Sequence, residues 1–307
     1  MNVVVLSGGV GGARFVQGVV GALSAESVAV IGNVGDDVEV LGLHVSPDLD
    51  SIMYALAGFN DEERGWGRAG ETWRVLESVA ELHGETWFRL GDLDLGVHLV
   101  RTQGLRAGEP LSRVTARLAA ALGLETRLFP ATDDRLRTWI ATAAGELPFQ
   151  EWFVARGHRD EVDSVRFDGS DSAAAAPCVL DAIAAADVLL LAPSNPYVSI
   201  APILAVRAIR DALAARTVPC VAVSPLIGGR AVKGPADRML ARLAGGTAPR
   251  HLAGRYEGLI DALVVDEADA GDVDGLHEVR PIVARTLMVD ADARRRLAEA
   301  ALGAVPA

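Results

Sequence analysis

The chain of 307 residues holds a single lysine, Lys233, and only two cysteines, Cys178 and Cys220. Aromatic residues make up 5% of it, and 29 lysines and arginines face 41 aspartates and glutamates, for a net charge of −12. Each shortage excludes something. The two cysteines lie in apolar segments without CxxC spacing, which excludes a disulfide framework or a thiolate metal site; both are expected as buried, reduced thiols. An acidic chain without a basic stretch is a poor partner for nucleic acid. No apolar run reaches the roughly 18 residues a membrane span requires, and the opening MNVVVLSGG has no basic leader region, so a cytoplasmic protein away from membranes is expected. If its ligands carry phosphates, particular arginines or a divalent metal must meet their charge.

What is present is an α/β pattern. Residues 3–7 form a β-branched run, followed at once by a glycine cluster and an apolar helical stretch over 13–23. Further buried strands are expected at 28–31, 188–191, 220–223 and 263–265, with a helix over about 202–215. Continuous apolar runs, not alternation, mark strands buried on both faces of a parallel sheet. The fold class is therefore α/β, a Rossmann-like doubly wound, mostly parallel sheet in one domain spanning 1–307. An inserted cap subregion is expected at about 61–167, holding Trp66, Trp73, Trp87 and Trp139. Within and just beside it, helices are expected at 72–82 and 111–122 and antiparallel strands at 149–154 and 162–167.

Four segments carry candidate chemistry. In SGGVGGAR the turn Gly8, Gly9, Gly11, Gly12 and Arg14 can set backbone N–H groups and a helix N-terminus against an anion. It is not a P-loop, since no Lys-Ser/Thr follows, and Arg14 stands where a dinucleotide fingerprint has its third glycine. The second segment gathers Asp36, Asp37, Asp48 and Asp50, with a helix starting near Leu49. Capping accounts for one aspartate, whereas hard oxygens beside a phosphate turn suit Mg²⁺. LGDLDLGVHLVRTQGL holds Asp92, Asp94, His98 and Arg101; His98 and Arg101, three apart, share a face on a helix, and a solvated polar face is the competing reading. In APSNPYVSI, Ser194, Asn195, Pro196 and Ser199 follow a strand end, as does Ser224 with Lys233 further on.

Together these stretches resemble a known family. GGVGGARF, NVGDD, PDLDSIMYAL, RGWGRAGETW, WFRLGDLDLGVHLVRTQ, FQEWFV, LLLAPSNPYVSIAPIL, VAVSPLIGG and DALVVDEAD run in order through the chain. They are similar to the 2-phospho-L-lactate transferase family of coenzyme F420 biosynthesis, most closely its bacterial phosphoenolpyruvate transferase type. The resemblance implies a Mg²⁺-dependent homodimer. It would move a phosphoenolpyruvyl or 2-phospho-lactyl group from a guanosine diphospho donor, enolpyruvyl- or lactyl-diphospho-guanosine, to the deazaflavin Fo, releasing GMP. It assigns Gly8, Gly9, Gly11, Gly12, Arg14, Ser194, Asn195, Pro196, Ser199 and Ser224 to the donor. Asp50, Asp48 and Asp36 become the catalytic acids, with Asp50, Asp36 and Asp37 on the metal. Asp50→Asn is expected to keep the fold and lose activity. Trp87, Asp92, Asp94, His98 and Arg101 are assigned to Fo. Leu93 and Val97 depart from the family's usual arginine and threonine. Two rivals stand beside this reading: an NAD(P)-dependent oxidoreductase, and a non-catalytic sugar-nucleotide-binding regulator of the same superfamily. RGWGRAGETW and LGDLDLGVH favour the deazaflavin enzymes over the regulator.

Overall fold

The computed structural model describes residues 1–304. Seven apolar segments form one all-parallel sheet: β1 (Val3–Ser7), β2 (Val28–Gly32), β3 (Arg127–Pro130), β4 (Val188–Leu191), β5 (Cys220–Val223), β6 (Ala262–Asp266) and β7 (Arg280–Ala284). Their order across the sheet is β7-β6-β5-β4-β1-β2-β3. The five strands from β6 to β2 are buried along their whole length, as strands covered on both faces must be. β1 pairs with β2 on one side (Val3 opposite Val28) and with β4 on the other (Val3 opposite Val188). Chain order reverses there, so the carboxyl ends of β1 and β4 open the crevice in which doubly wound sheets bind ligands.

Helix α1 (Gly9–Ala22) packs on α2 (Pro47–Ala57) and on the late helix Ala291–Leu302. α3 (Arg74–Glu81), α4 (Asp92–Arg106) and α5 (Leu111–Ala121) follow within the region read as a cap. That region also supplies β3, an edge strand of the main sheet. Its other sheet is antiparallel: Arg137–Thr142 lies between Gly145–Pro148 and Ser164–Asp168.

Several elements differ from the sequence reading. α1 begins at Gly9, four residues early, so the glycine motif is itself the first turn of the helix. Residues 149–154 form no strand; a wide helical turn runs over Glu151–Ala155. Phe149, Trp152 and Phe153 recur at a helical spacing and stack together, with Phe149 and Phe153 centroids 5.1 Å apart. Their aromatic character suggested a strand, but their period is that of a helix. The expected helix over 202–215 is two helices, Ala201–Ala205 and Arg207–Ala214, separated by Val206 in an extended conformation. Of the two free cysteines only Cys220 is buried; Cys178 is exposed.

Candidate functional site

The floor of the crevice is built where β1 and β2 end. After Ser7 the chain stays extended at Gly8 (φ −157°) and enters α1 at Gly9. A Cβ on Gly8 would run into the Asp48 carboxylate and Ser199. Asp48 in turn accepts a hydrogen bond from the Gly9 backbone N–H. The helix N-terminus, where negative charge is favoured, thus already faces a carboxylate of the chain's own. Gly11 and Gly12 serve a different approach. A Cβ on Gly11 would sit 3.0 Å from the Pro193 carbonyl oxygen, and one on Gly12 would strike the Ser7 and Ser194 hydroxyls. These two glycines let the loop after β4 close against α1, so neither offers open backbone to a ligand.

Asn33, the first residue after β2, is the hub of the acid cluster. Its side-chain Nδ2 lies 2.9 Å from Asp48 Oδ2, 3.3 Å from Asp36 Oδ1 and 3.2 Å from the Val198 carbonyl. Its Oδ1 accepts from the Gly35 N–H at 2.8 Å. Thr138 N–H donates to the Gly35 carbonyl (2.7 Å) and Gln150 Nε2 to the Asp36 carbonyl (3.0 Å), so the small antiparallel sheet and the segment after it hold this turn. Asp36 and Asp48 are both buried, 4% and 7% exposed. Burial pushes Asp48 up to about 6 against the hydrogen bonds from Asn33 and Gly9. Burial, then the neighbouring Asp48 and Asp37 charges, hold Asp36 well above the ordinary carboxylate range. Two desolvated acids side by side, with an amide between them, favour a shared proton or a cation.

Asp50 sits elsewhere. It lies in the first turn of α2, as the sequence suggests, but both its oxygens are taken by Arg101 of α4. Arg101 Nη1 donates to Asp50 Oδ2 at 3.0 Å, and Nη2 donates to Oδ1. Arg101 is fully buried. The same Nη1 lies 3.2 Å from His98 Nδ1. Arginine can only donate, so Nδ1 accepts and the imidazole is neutral. Burial drives the His98 pKa down to about 4, which keeps it so. Asp50 and Arg101 therefore form a buried clasp between α2 and α4. Asp37 is held likewise: its Oδ2 accepts from His44 Nε2 (2.8 Å) and the Ser46 hydroxyl (3.0 Å), while its Oδ1 is buried without a partner.

The residues present fit a divalent cation, though not the set first expected. Among the described residues no three acid, histidine or cysteine side chains converge to hold an ion by themselves. Mg²⁺ does not need that; it takes one or two carboxylates and completes its shell with water and substrate phosphate. Asp36 and Asp48 supply such a pair, with the orphaned Asp37 Oδ1 as a further acceptor. Asp50, neutralised by Arg101, does not.

The segment expected to hold Fo is organised by two reciprocal caps. Glu71 accepts from the N–H groups of Leu93 (2.7 Å) and Asp94 (2.9 Å) at the start of α4. Asp92 accepts from the N–H groups of Arg74 and Val75 (both 3.2 Å) at the start of α3, and from the Thr72 hydroxyl. Each helix is capped by a residue beside the other's N-terminus. A Cβ on Gly91 would strike Glu71, which explains that glycine. Asp92 is thus committed to structure. Asp94, 6% exposed, is pushed up to about 6 by burial and by the charges of Asp50 and Glu71. Trp87 is 37% exposed and packs edge-on against Phe88 at 5.6 Å. Leu93 is 43% exposed, whereas Val97 is buried in the main core. Removing one cap, as in Glu71→Ala, is expected to cost about 1 kcal/mol in urea unfolding. The Glu71→Ala/Asp92→Ala pair should cost less than the sum of the two, because they join the same two helix ends. Strict additivity would show that the caps act independently.

The remaining candidates line the far side. The Ser194 hydroxyl donates to the Gly8 carbonyl (2.7 Å), and Ser199 packs against Gly8. Asn195 accepts from the Tyr197 N–H (2.9 Å), capping the turn that Pro196 opens. The Ser224 hydroxyl is occupied in its own turn, with the Leu226 N–H donating to it at 3.1 Å. Sequence reasoning missed Asn33 and Glu71. A buried polar residue at a strand end signals Asn33; nothing local signals Glu71, whose partners lie some 20 positions away.

An all-parallel sheet whose strand order reverses between β1 and β4 defines a doubly wound α/β protein. The chain belongs to the 2-phospho-L-lactate transferase CofD family, whose model matches residues 3–302, and is a transferase of coenzyme F420 biosynthesis. It is 44% identical over 310 residues to the phosphoenolpyruvate transferase of Streptomyces griseus, covering 98% of both chains. The phosphoenolpyruvate transferase of Thermobifida fusca is 45% identical over 295 residues, covering 91% of each. Among solved structures, a UPF0052 family member from Bacillus halodurans superposes with a TM-score of 0.65 at 17% identity, covering 98% of both chains. That likeness speaks for the fold. Among the described residues no helix is long and apolar enough to cross a membrane.

Proposed function

We propose that this transferase moves a phosphoenolpyruvyl group from enolpyruvyl-diphospho-guanosine to the terminal ribityl hydroxyl of Fo, releasing GMP, as a cytoplasmic homodimer that uses Mg²⁺. The names of the curated relatives favour this unit over 2-phospho-lactyl. One observation carries the reading: the Asn33-held pair Asp36 and Asp48 lies against the Gly8–Gly9 turn where β1 and β2 end.

The Fo hydroxyl oxygen bonds to the phosphorus that carries the three-carbon unit. The bridging P–O bond breaks, its electron pair leaves with GMP, and the hydroxyl proton passes to a base. No covalent enzyme intermediate is required; positioning and charge neutralisation suffice. Asp36 and Asp48 would hold Mg²⁺, which would supply positive charge to the diphosphate. Asn33 orients both acids. The Gly9 N–H faces Asp48, so the start of α1 offers a donor beside the acid pair. A carboxylate near the reacting hydroxyl accepts its proton. The Asp50–Arg101 clasp fixes α4, and with it Asp94, against α2.

The test is direct. The purified protein with Fo, enolpyruvyl-diphospho-guanosine and Mg²⁺ is expected to release one GMP per deazaflavin converted, read by chromatography and by product mass. Fo left unchanged under these conditions, with the folded state verified, would refute the proposal.

A further inference from the structure

Most charged side chains near the crevice are matched. Asp61 pairs with Arg64 at 3.1 Å, and Glu62 pairs with Arg294 at 2.6 Å. Arg68 lies over the Tyr54 and Phe59 rings and beside Asp94. Among the described residues Arg14 and Lys233 form no ion pair, and Arg68 and Arg137 form none either. Among the described residues neither Arg14 nor Lys233 has a carboxylate within 4.0 Å, although the chain carries 41 acidic residues. Arg14 Nε is moreover buried without a hydrogen-bond partner, a cost that a folded protein ordinarily avoids.

Arg14 and Lys233 belong to one place. A cavity between α1 and α2 is lined by Val10, Arg14, Ser51, Asn60 and Gly65, and also by Asp61, whose charge is met by Arg64. Lys233, from the loop that follows β5, lays its ammonium against Gly65 on the rim of this cavity. Gly65 has φ +80°, and a Cβ there would occupy the position of the ammonium. The lysine and the glycine thus meet from segments more than 160 residues apart. Val10 and Arg14 stand on the first turns of α1, directly after the Gly9 N–H that faces Asp48.

We propose that Arg14 and Lys233 form an anion subsite that takes an oxyanion of the donor, either a phosphate of its diphosphate or the carboxylate of its three-carbon unit. This rests on the transfer reaction proposed above. Lys233 is the new element: the only lysine of the chain stands beside Gly65, on the rim of the cavity that Arg14 lines.

The experiment compares wild type with Lys233→Met, Lys233→Arg and Arg14→Met. It measures the KM for enolpyruvyl-diphospho-guanosine and for Fo, and the affinity for GDP and inorganic pyrophosphate by calorimetry with Mg²⁺ present. Lys233→Met is expected to raise the donor KM about tenfold, equivalent to about 1.4 kcal/mol, with the KM for Fo unchanged and Lys233→Arg restoring most of the loss. A parallel fall in GDP and pyrophosphate affinity assigns the subsite to phosphate; unchanged GDP affinity with a raised donor KM assigns it to the carboxylate. Donor KM, GDP and pyrophosphate all unchanged in both Lys233→Met and Arg14→Met would overturn the proposal. Lys233 is exposed, so its variants should keep the wild-type melting temperature. Should the wild type release no GMP, the proposed reaction fails, while GDP and pyrophosphate binding still report on the subsite.

Discussion

Asp50→Asn is expected to lower folding stability by about 3–5 kcal/mol, far beyond the loss of a helix cap. Arg101 is fully buried, and Asp50 is its one carboxylate within ion-pair distance among the described residues. Neutralising Asp50 leaves a guanidinium in the interior with only a neutral imidazole beside it. Removing one member of such a pair is worse than removing both, because an uncompensated charge remains. The double variant Asp50→Asn/Arg101→Met should therefore regain much of the loss. Urea unfolding measures all three. The sequence alone suggested that Asp50→Asn would keep the fold and lose chemistry; the clasp with Arg101 reverses the emphasis. A loss under about 1 kcal/mol in Asp50→Asn would mean that the pair does not hold α2 to α4.

Asp48→Asn should do the opposite: the ligand-free protein becomes more stable and turnover falls by about 10²-fold or more. The sign follows from the direction of the shift. Asp48 titrates at about 6 in the folded protein, against 3.8 ordinarily, so folding tightens its hold on the proton. Its stabilising contribution is complete below the unfolded pKa and disappears as pH rises through about 6. Wild type should accordingly lose stability between about pH 4 and 7 through this group, whereas the asparagine variant should not. At pH 7.5 the variant should gain about 1–2 kcal/mol, a rise of about 2–5 °C in melting temperature. Mg²⁺ should raise the wild-type melting temperature more at pH 7.5 than at pH 5, where protons compete for the same oxygens. It should leave the variant unmoved. A variant less stable than wild type, or one with normal turnover, would show that Asp48 is not a desolvated, metal-ready carboxylate.

The parts of the fold that were legible are those with a local signature. β1, β2, β4, β5 and β6 appear as apolar runs because burial on both faces removes every polar position from them. α2 was legible from Pro47 and the aspartates of its first turn. β3 was not, because RLFP at a sheet edge is short and half-buried, and only its pairing with β2 makes it a strand. The turn at Glu151–Ala155 was misread because aromatic content and helical spacing point in different directions over so few residues.

The amino-acid sequence by itself determined the α/β class, the glycine turn on the first strand, the clustering of acids after the second, and the resemblance that the family match bears out. Those properties reside in short contiguous stretches, where composition and spacing are sufficient. The tertiary structure alone decided how the acids divide. Asp36 joins Asp48 through Asn33, Asp50 goes to Arg101 on α4, and Asp92 caps α3 while Glu71 caps α4. Asp48 and Asp50 are two residues apart on one helix, so they point about 200° apart around its axis and meet different neighbours. A carboxylate's role is set by the charge that faces it, and that charge arrives from segments distant along the chain.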